Sequence, residues 1–332
     1  MSELSVLMVS FNTRVLTLEA LRSLYAETTS SLQVIVVDNA SSDGSADAIA
    51  EAFPEVMLIR SETNLGFGVA SNLASGQASS RHLLLLNPDT RVLPAAVDRL
   101  LQFAREHPEA RIWGGRTLND DGSLNPASCW RRASLWSLLC SSLGMAALFP
   151  NDSRFNSEAY GGWGRDSVRA VDIVSGCFLM IERDLWRSLG GFDPSFFMYG
   201  EDADLCLRAM QHGARPLITP DAEIVHYSGA SETGVENKLV RLYRAKVQLM
   251  DRHWPRWASR VGGVLMQCNV LRRWALFRLR AKAQTSGGGG QNPFAKVWSR
   301  RKEWLGSERD SDDGMNDPPR SVTVGGLHRG QS

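Results

Sequence analysis

Cysteine is scarce and unpatterned in this sequence. The five cysteines, Cys129, Cys140, Cys177, Cys206 and Cys268, are odd in number, widely spaced and include no C-x-x-C pair. That argues against a disulfide framework or a zinc site and for a reducing compartment. Long apolar runs are missing too. None reaches the roughly 18 to 20 residues a spanning helix needs, and the nearest, Leu135 to Phe149, is shorter and interrupted by serines. Any membrane contact is therefore expected to be peripheral, on the inner face of the cytoplasmic membrane. No basic n-region or small-residue cleavage site precedes the strand-like run Leu4 to Ser10, so no signal peptide is expected and the expected location is cytoplasmic. Nor is there an excess of one charge. With 37 basic and 36 acidic residues the formal net charge is +1, which gives no case for a nucleic-acid partner. Internal repeats are absent. What is present is a 332-residue chain with 43% hydrophobic residues, ample for a buried core.

The first third alternates short β-branched runs with helical stretches: Leu4 to Val9, Leu16 to Tyr25, Leu32 to Val37, Ser45 to Phe53 and Val56 to Ile59. Strand-helix alternation of this kind predicts an α/β fold with a mostly parallel central sheet flanked by helices. A helix over Val69 to Ser79, an all-apolar strand over Leu83 to Leu86 and a helix over Pro94 to Glu106 continue the pattern. Residues 118–168, rich in Ser, Arg, Gly and Trp, read as an irregular insert or acceptor-facing loops. Order returns with a strand pattern over Ala170 to Ile181 broken at Ser175-Gly176, helices over Asp184 to Leu189 and Glu201 to Gln211, and a strand over Arg215 to Thr219. The expected organisation is one α/β domain over 1–231, in two halves of about 1–117 and 118–231. A basic amphipathic helical extension over 232–284 follows, then a flexible linker and disordered tail over 285–332.

In such sheets ligands sit beyond the carboxyl ends of the strands, and the residues there are polar. Asn12 follows the first strand, Asp38-Asn39 the second, and Asn87-Pro88-Asp89 the apolar one. A carboxylate on the turn at Asp89 would point at a diphosphate and its divalent cation; the alternative is a turn in which Asp89 caps its own backbone or the helix near Pro94. Glu201 and Asp202 open a helix, where the dipole keeps carboxylates ionised for general-base work. Helix capping explains the acids equally, and Asp204 with Arg208 is an i, i+4 ion pair, but capping leaves the aromatic cluster Phe196, Phe197 and Tyr199 unexplained. His226 ends a possible strand and is either a ligand or a satisfied histidine. Asp43 or Ser42 caps the following helix, and Asp38 is placed to accept a base N–H. The glycines of Asn64-Leu65-Gly66-Phe67-Gly68 would admit a phosphate or ribose.

Six motifs in order carry a resemblance. They are Val9-Ser10-Phe11-Asn12, Val36 to Ser45 with Asp38-Asn39, Asn64 to Gly68, Leu86 to Thr90, Gly190-Gly191-Phe192-Asp193, and Phe197 to Arg208. Together the chain from about Leu4 to Ser231 resembles family 2 glycosyltransferases, and within them the rhamnosyltransferase-like group. The resemblance implies a GT-A fold, a nucleotide-sugar donor (dTDP- or UDP-linked, with dTDP-L-rhamnose favoured), a glycan or lipid-linked acceptor, a divalent metal (Mg2+ or Mn2+) and inverting displacement. It implies Asp202 as catalytic base with Glu201 its neighbour, Asp38 as the carboxylate that reads the pyrimidine, and a nucleotide site extending over Ser10, Asn12, Asn39, Asn64, Gly66 and Asn87. Asp89 matches the metal-binding Asp of the family's Asp-x-Asp motif, with Asn87 where that motif often has Asp, and His226 falls where some members place a further ligand.

The segment from Glu236 to Lys282 is rich in Arg and interleaved with Trp254, Trp257, Trp274 and Phe277. It suits an anionic membrane surface, or equally a helix whose apolar face packs on the catalytic domain. Two other functions share the layout. A nucleotidyltransferase would want a Gly-rich basic loop after the first strand, which Ser10-Phe11-Asn12-Thr13-Arg14 is not, and a catalytically silent sugar- or lipid-binding module would have lost Asp89 or Asp202.

Overall fold

The computed structural model describes residues 2–227, 234–283 and 292–306. The first seven elements are β1 (Leu4–Ser10), α1 (Arg14–Glu27), β2 (Leu32–Asp38), α2 (Ser45–Ala52), β3 (Met57–Arg60), α3 (Gly66–Ser75) and β4 (His82–Leu86). They wind into a parallel sheet ordered β3-β2-β1-β4. The chain steps outward from β1 to β3 and then returns to add β4 on the other side of β1. That reversal opens a crevice at the carboxyl ends of β1 and β4. Every residue of β1 and β4 is buried, and strand alternation splits their side chains between two cores. Leu4, Val6, Met8, Leu84 and Leu86 pack with Leu21 and Leu24 of α1; Leu7, Val9, Leu83 and Leu85 pack with Ala70 and Ala74 of α3 on the opposite face.

The sheet is then extended by β5 (Thr90–Val92), α4 (Ala96–Glu106), β6 (Ile112–Leu118), β7 (Leu124–Asn125), β8 (Cys129–Trp130), α5 (Leu135–Leu143), α6 (Met145–Leu148), β9 (Arg169–Ala170), β10 (Ile173–Val174), β11 (Phe178–Glu182), α7 (Arg183–Leu189), α8 (Glu201–Gln211) and β12 (Leu217–His226). β11 lies antiparallel between β4 and β6, β12 runs parallel to β6, and β5 closes the edge antiparallel to β12. The sequence reading leaves β6 out, because Gly114 and Gly115 weaken its strand pattern. Those glycines are where neighbours press closest: a Cβ on Gly114 would meet Val174 Cγ1 at 2.5 Å and one on Gly115 would meet the Ala222 carbonyl at 2.2 Å. The single strand expected over Ala170 to Ile181 is three short ones, and the strand expected at Arg215 to Thr219 is part of β12, which reaches His226 through a register shift between Ile218 and Glu223. Residues 118–168 hold the capped helix α5, whose Ser134 and Ser137 form a reciprocal capping box.

The basic extension is two helices, α9 (Val235–His253) and α10 (Arg256–Ala283), separated at Trp254-Pro255 because proline cannot continue a helix. Within the region read as linker and tail, α11 (Pro293–Ser299) and α12 (Arg301–Trp304) are helical and packed. They join α5, α9 and α10 around a third core of Leu138, Val240, Met250, Met266, Val270, Val297 and a fully buried Trp304. The sequence reading underweights these helices since each is short and their apolar residues are few. The linker at Ser286 to Gly290 and the polar stretch beyond Gly306 lie outside the described residues. Among the described residues no helix is long and apolar enough to cross a membrane.

Candidate active site

A cavity of about 1350 Å³ opens at the carboxyl ends of β1, β2, β4 and β12 and reaches across to α5 and α9. Asn39, Asn64, Gly66, Asn87, Asp89, Glu201, Asp202 and His226 all line it. Carboxylates separated by more than a hundred residues in sequence are thus brought to one chamber.

One side of it is a loop network. Asn39 Nδ2 donates to Asn64 Oδ1 at 2.9 Å, Leu65 N donates to Asn39 Oδ1 at 2.8 Å, and Gly66 N donates to Asn64 Oδ1 at 2.9 Å. This fixes Gly66 at φ +75°, where a Cβ would stand 2.5 Å from the Phe197 carbonyl oxygen. The same carbonyl accepts the Phe67 N–H at 3.2 Å, so the Asn64 loop and the segment leading into α8 are held as one unit. Asp38 sits behind this wall, buried. Its Oδ2 accepts the Ser41 N–H at 3.1 Å, while its buried Oδ1 has no partner among the described residues. With Asp38, two further expected nucleotide residues are not on the cavity wall. Ser10 is buried with its hydroxyl against Thr13 and Thr17, and Asn12 uses its carbonyl to hold the Ser42 N–H at 2.8 Å. Phe11 and Thr13 line the cavity in their place. Asp43 binds Arg14 N and Ser45 N rather than capping α2, whose first helical turn is preceded by Gly44.

Asp89 points into the cavity and not at α4, and its Oδ1 lies 3.2 Å from His226 Nε2. β12 makes the pairing by register, since His226 lies opposite Thr90 on β5. Cys177, unnoticed in the sequence, completes the cluster: its sulfur bonds His226 and its carbonyl accepts the Asn87 N–H at 3.1 Å. Burial alone would lower the His226 pKa, but the Cys177 sulfur and the Asp89 carboxylate outweigh it and raise it to about 10. Among the described residues no group of three or more His, Cys, Asp or Glu side chains is arranged around one ion. Asp89 and His226 would supply two donors to a divalent cation shared with a substrate's phosphates, once the imidazole gives up its proton.

The second carboxylate group opens α8. Tyr199 and Gly200, both at positive φ (70° and 85°), aim the first turn into the cavity. Asp202 is clamped by two backbone N–H donors, Gly176 at 3.0 Å to Oδ2 and Ala203 at 2.7 Å to Oδ1. Glu201 is buried with an unpartnered Oε2. Burial first, and the neighbouring Asp202 charge second, raise the Glu201 pKa to about 8; burial raises that of Asp202 against its backbone donors. Hydrogen bonds to a carboxylate favour its charged form, so within the pair the unpartnered Glu201 holds a proton more tightly than the clamped Asp202. Gly176 and Cys177 are consecutive, so one short loop ties Asp202 to the Asp89–His226 pair.

Asp204 does different work. It is fully buried and accepts from Arg208 Nε at 2.7 Å, as the i, i+4 spacing predicts, and also from His253 Nε2 at 2.9 Å and Arg252 Nε at 3.0 Å. Arg252 also reaches Asp193, and Lys246 pairs with Glu158 at 2.5 Å. Through these contacts α9 becomes a wall of the cavity. Burial opposes ionisation of Asp204, yet His253 and Arg208 hold its pKa below the ordinary 3.8.

Residues 5–169 match the model of glycosyl transferase family 2, and residues 151–298 that of glycosyl transferase family group 2. Among curated proteins, the N-acetylglucosaminyl-diphospho-decaprenol L-rhamnosyltransferase of Mycobacterium tuberculosis is 28% identical over 289 residues, 79% of this chain and 90% of the relative. A low-salt glycan biosynthesis hexosyltransferase of Haloferax volcanii is 22% identical over 71% of each chain. Among solved structures, the mannosyltransferase of Pyrobaculum calidifontis in complex with GDP-Man and Mn2+ aligns with a TM-score of 0.55 at 16% identity, covering 92% of this chain and 85% of its own.

Proposed function

Since the chain belongs to glycosyltransferase family 2 and has the GT-A fold, we propose that its cavity performs inverting transfer of a sugar from a nucleotide diphosphate donor to an acceptor hydroxyl. The observation that carries the reading is the convergence of Asp89, His226, Glu201 and Asp202 on one chamber.

In this reading the nucleotide lies over Asn39, Asn64 and Gly66, and the unpartnered Oδ1 of Asp38 behind them is the acceptor for a pyrimidine N–H. Asn87 borders the sugar and diphosphate. Asp89 and His226 would hold a divalent cation, Mg2+ or Mn2+, which when bound stabilises negative charge on the departing nucleoside diphosphate. Asp202 takes the proton of the acceptor hydroxyl while that oxygen bonds to the anomeric carbon from the face opposite the diphosphate, so configuration inverts. Its two backbone donors fix the orientation of the base, and burial raises its pKa. Protonated Glu201 leaves the pair with a single charge. Phe196, Phe197 and Tyr199 limit water around it.

The likeness to the mycobacterial rhamnosyltransferase supports L-rhamnose, from dTDP-rhamnose, as the sugar and a lipid-linked saccharide as the acceptor, within cell-surface polysaccharide synthesis. The reaction would then run at the cytoplasmic face of the membrane. Incubating the chain with a panel of nucleotide sugars, with Mn2+ or with chelator, and following nucleoside diphosphate release tests this directly. Release with dTDP-rhamnose that chelator suppresses is expected. Release of pyrophosphate would point to nucleotidyl transfer, and no release with any donor to a silent binding module; either overturns the proposal.

A further inference from the structure

Ten of the fifteen large hydrophobic side chains exposed among the described residues lie on two packed segments. On α10 these are Trp257, Val261, Val264, Leu276 and Leu279, with Trp257 64% exposed and Leu279 63%. On α5, α6 and the residue beyond they are Trp136, Leu139, Leu143, Leu148 and Phe149, with Leu148 74% exposed. Trp257, Val261, Val264 and Leu279, together with exposed Cys268 and Ala275, fall on one side of α10 at helical spacing. The stripe is about 33 Å long at 1.5 Å per residue. Folding does not use it, because α10 packs into the third core through Met266 and Val270.

The two segments form one face. Leu138 meets Gly262, Ser142 donates to Leu265 O, and Arg272 donates to Ser141 O, so contacts advance in the same sense along α5 and α10. With that sense and 100° per residue, Trp136, Leu139 and Leu143 turn to the same side of the pair as the α10 stripe. The face also begins at the active site: Ser134 and Leu135, just before Trp136, and Pro255 and Ala258, either side of Trp257, line the cavity. Charge selects the occupant. α10 carries seven Arg and Lys and no acidic residue, and Arg256, Arg260 and Arg278 are exposed beside the stripe. A second copy of so basic a helix would be repelled, whereas anionic headgroups are attracted. No described helix crosses a membrane, so this one would lie along it.

We propose that the α5–α10 face docks on an anionic phospholipid bilayer and presents the cavity mouth to the headgroup layer, where a lipid-linked acceptor enters. The acceptor's route rests on the glycosyl-transfer reading; the docking does not. Flotation of the full chain with vesicles of phosphatidylcholine alone, or mixed with phosphatidylglycerol, tests it without any nucleotide sugar. The chain is expected to float with the mixed vesicles and not with the neutral ones. Trp257→Glu combined with Val264→Glu is expected to weaken binding by about tenfold or more, with circular dichroism unchanged. Turnover of that variant on a water-soluble acceptor, measured separately, should match the wild type, because neither side chain lines the cavity. Absence of flotation, or equal flotation of the double variant, overturns the proposal. So does a dimer seen by light scattering that the double variant loses, which would assign the face to a second copy. Failure of flotation leaves the transferase reading standing, and failure of turnover leaves the flotation result standing.

Discussion

Replacing Gly66 by alanine tests how the Asn64–Gly68 loop and the segment leading into α8 are joined. At φ +75° an alanine loses about 1 kcal/mol from the left-handed backbone alone. Its Cβ would lie 2.5 Å from the Phe197 carbonyl oxygen and 2.9 Å from Phe197 Cδ2, so the Phe197 segment must withdraw, at about 1–3 kcal/mol for repacking. Withdrawal also stretches the bond that this carbonyl accepts from Phe67 N–H, now 3.2 Å, for about 1 kcal/mol more. The sum is about 3–5 kcal/mol. Gly122 is the internal control: it has φ +79° and nothing within 4 Å of its Cβ, so its alanine variant should lose only about 1 kcal/mol. Because Phe197 is four residues ahead of Glu201, a displacement of about 1 Å there should also lower turnover about a hundredfold. Urea unfolding and steady-state turnover of the two variants, side by side, supply the numbers. Equal destabilisation by Gly66→Ala and Gly122→Ala, or a destabilised Gly66→Ala enzyme with undiminished turnover, would refute the reasoning.

Two more expectations follow from the buried carboxylates of α8. Asp204→Asn should destabilise the fold at neutral pH by about 3–5 kcal/mol, because it leaves Arg208, Arg252 and His253 without their buried counter-charge. Since the folded pKa of Asp204 is depressed, the wild type's advantage over this variant should be full above about pH 5 and shrink as pH falls below about 4; a gap in unfolding midpoint that stays constant down to acid pH would contradict it. Glu201 has the opposite sign. Its folded pKa is raised from 4.5 to about 8, so its contribution is full below the unfolded value and is lost as pH rises to about 8, and Glu201→Gln should gain in stability on the wild type across that interval. Thermal midpoints recorded over the same range check it, and parallel curves would count against a buried protonated Glu201.

The parallel half of the fold was legible because its strands are apolar throughout and its helices keep their period, and the residues after β2 and β4 were placed by the crossover rule alone. Glu201, Asp202 and Asp89 were legible as carboxylates in special positions, but only the fold shows that they share a chamber. What was hidden depends on distant packing. β6 reads poorly because Gly114 and Gly115 answer to Val174 and Ala222 rather than to strand propensity. Cys177 carries no local signal; its importance comes from the Gly176-Cys177 turn before β11, which reaches Asp202 with one residue and His226 with the next. Asp204 reads as half of a helical ion pair, yet Arg252 and His253 arrive from α9, far along the chain. Ser10 and Asn12 were expected at the nucleotide from the family resemblance, whereas their side chains turn to Thr17 and Ser42.

The central claim is that Asp202, clamped by Gly176 and Ala203, removes the acceptor proton in a cavity whose donor site is built from other residues. Its most direct test is the Asp202→Asn variant, with nucleotide-sugar affinity by calorimetry and turnover by nucleoside diphosphate release on the same preparation. Donor affinity within about twofold of wild type and turnover lower by about 10²- to 10⁴-fold is the predicted result. Turnover within tenfold of wild type, or a loss of donor affinity as large as the loss of turnover, would contradict it.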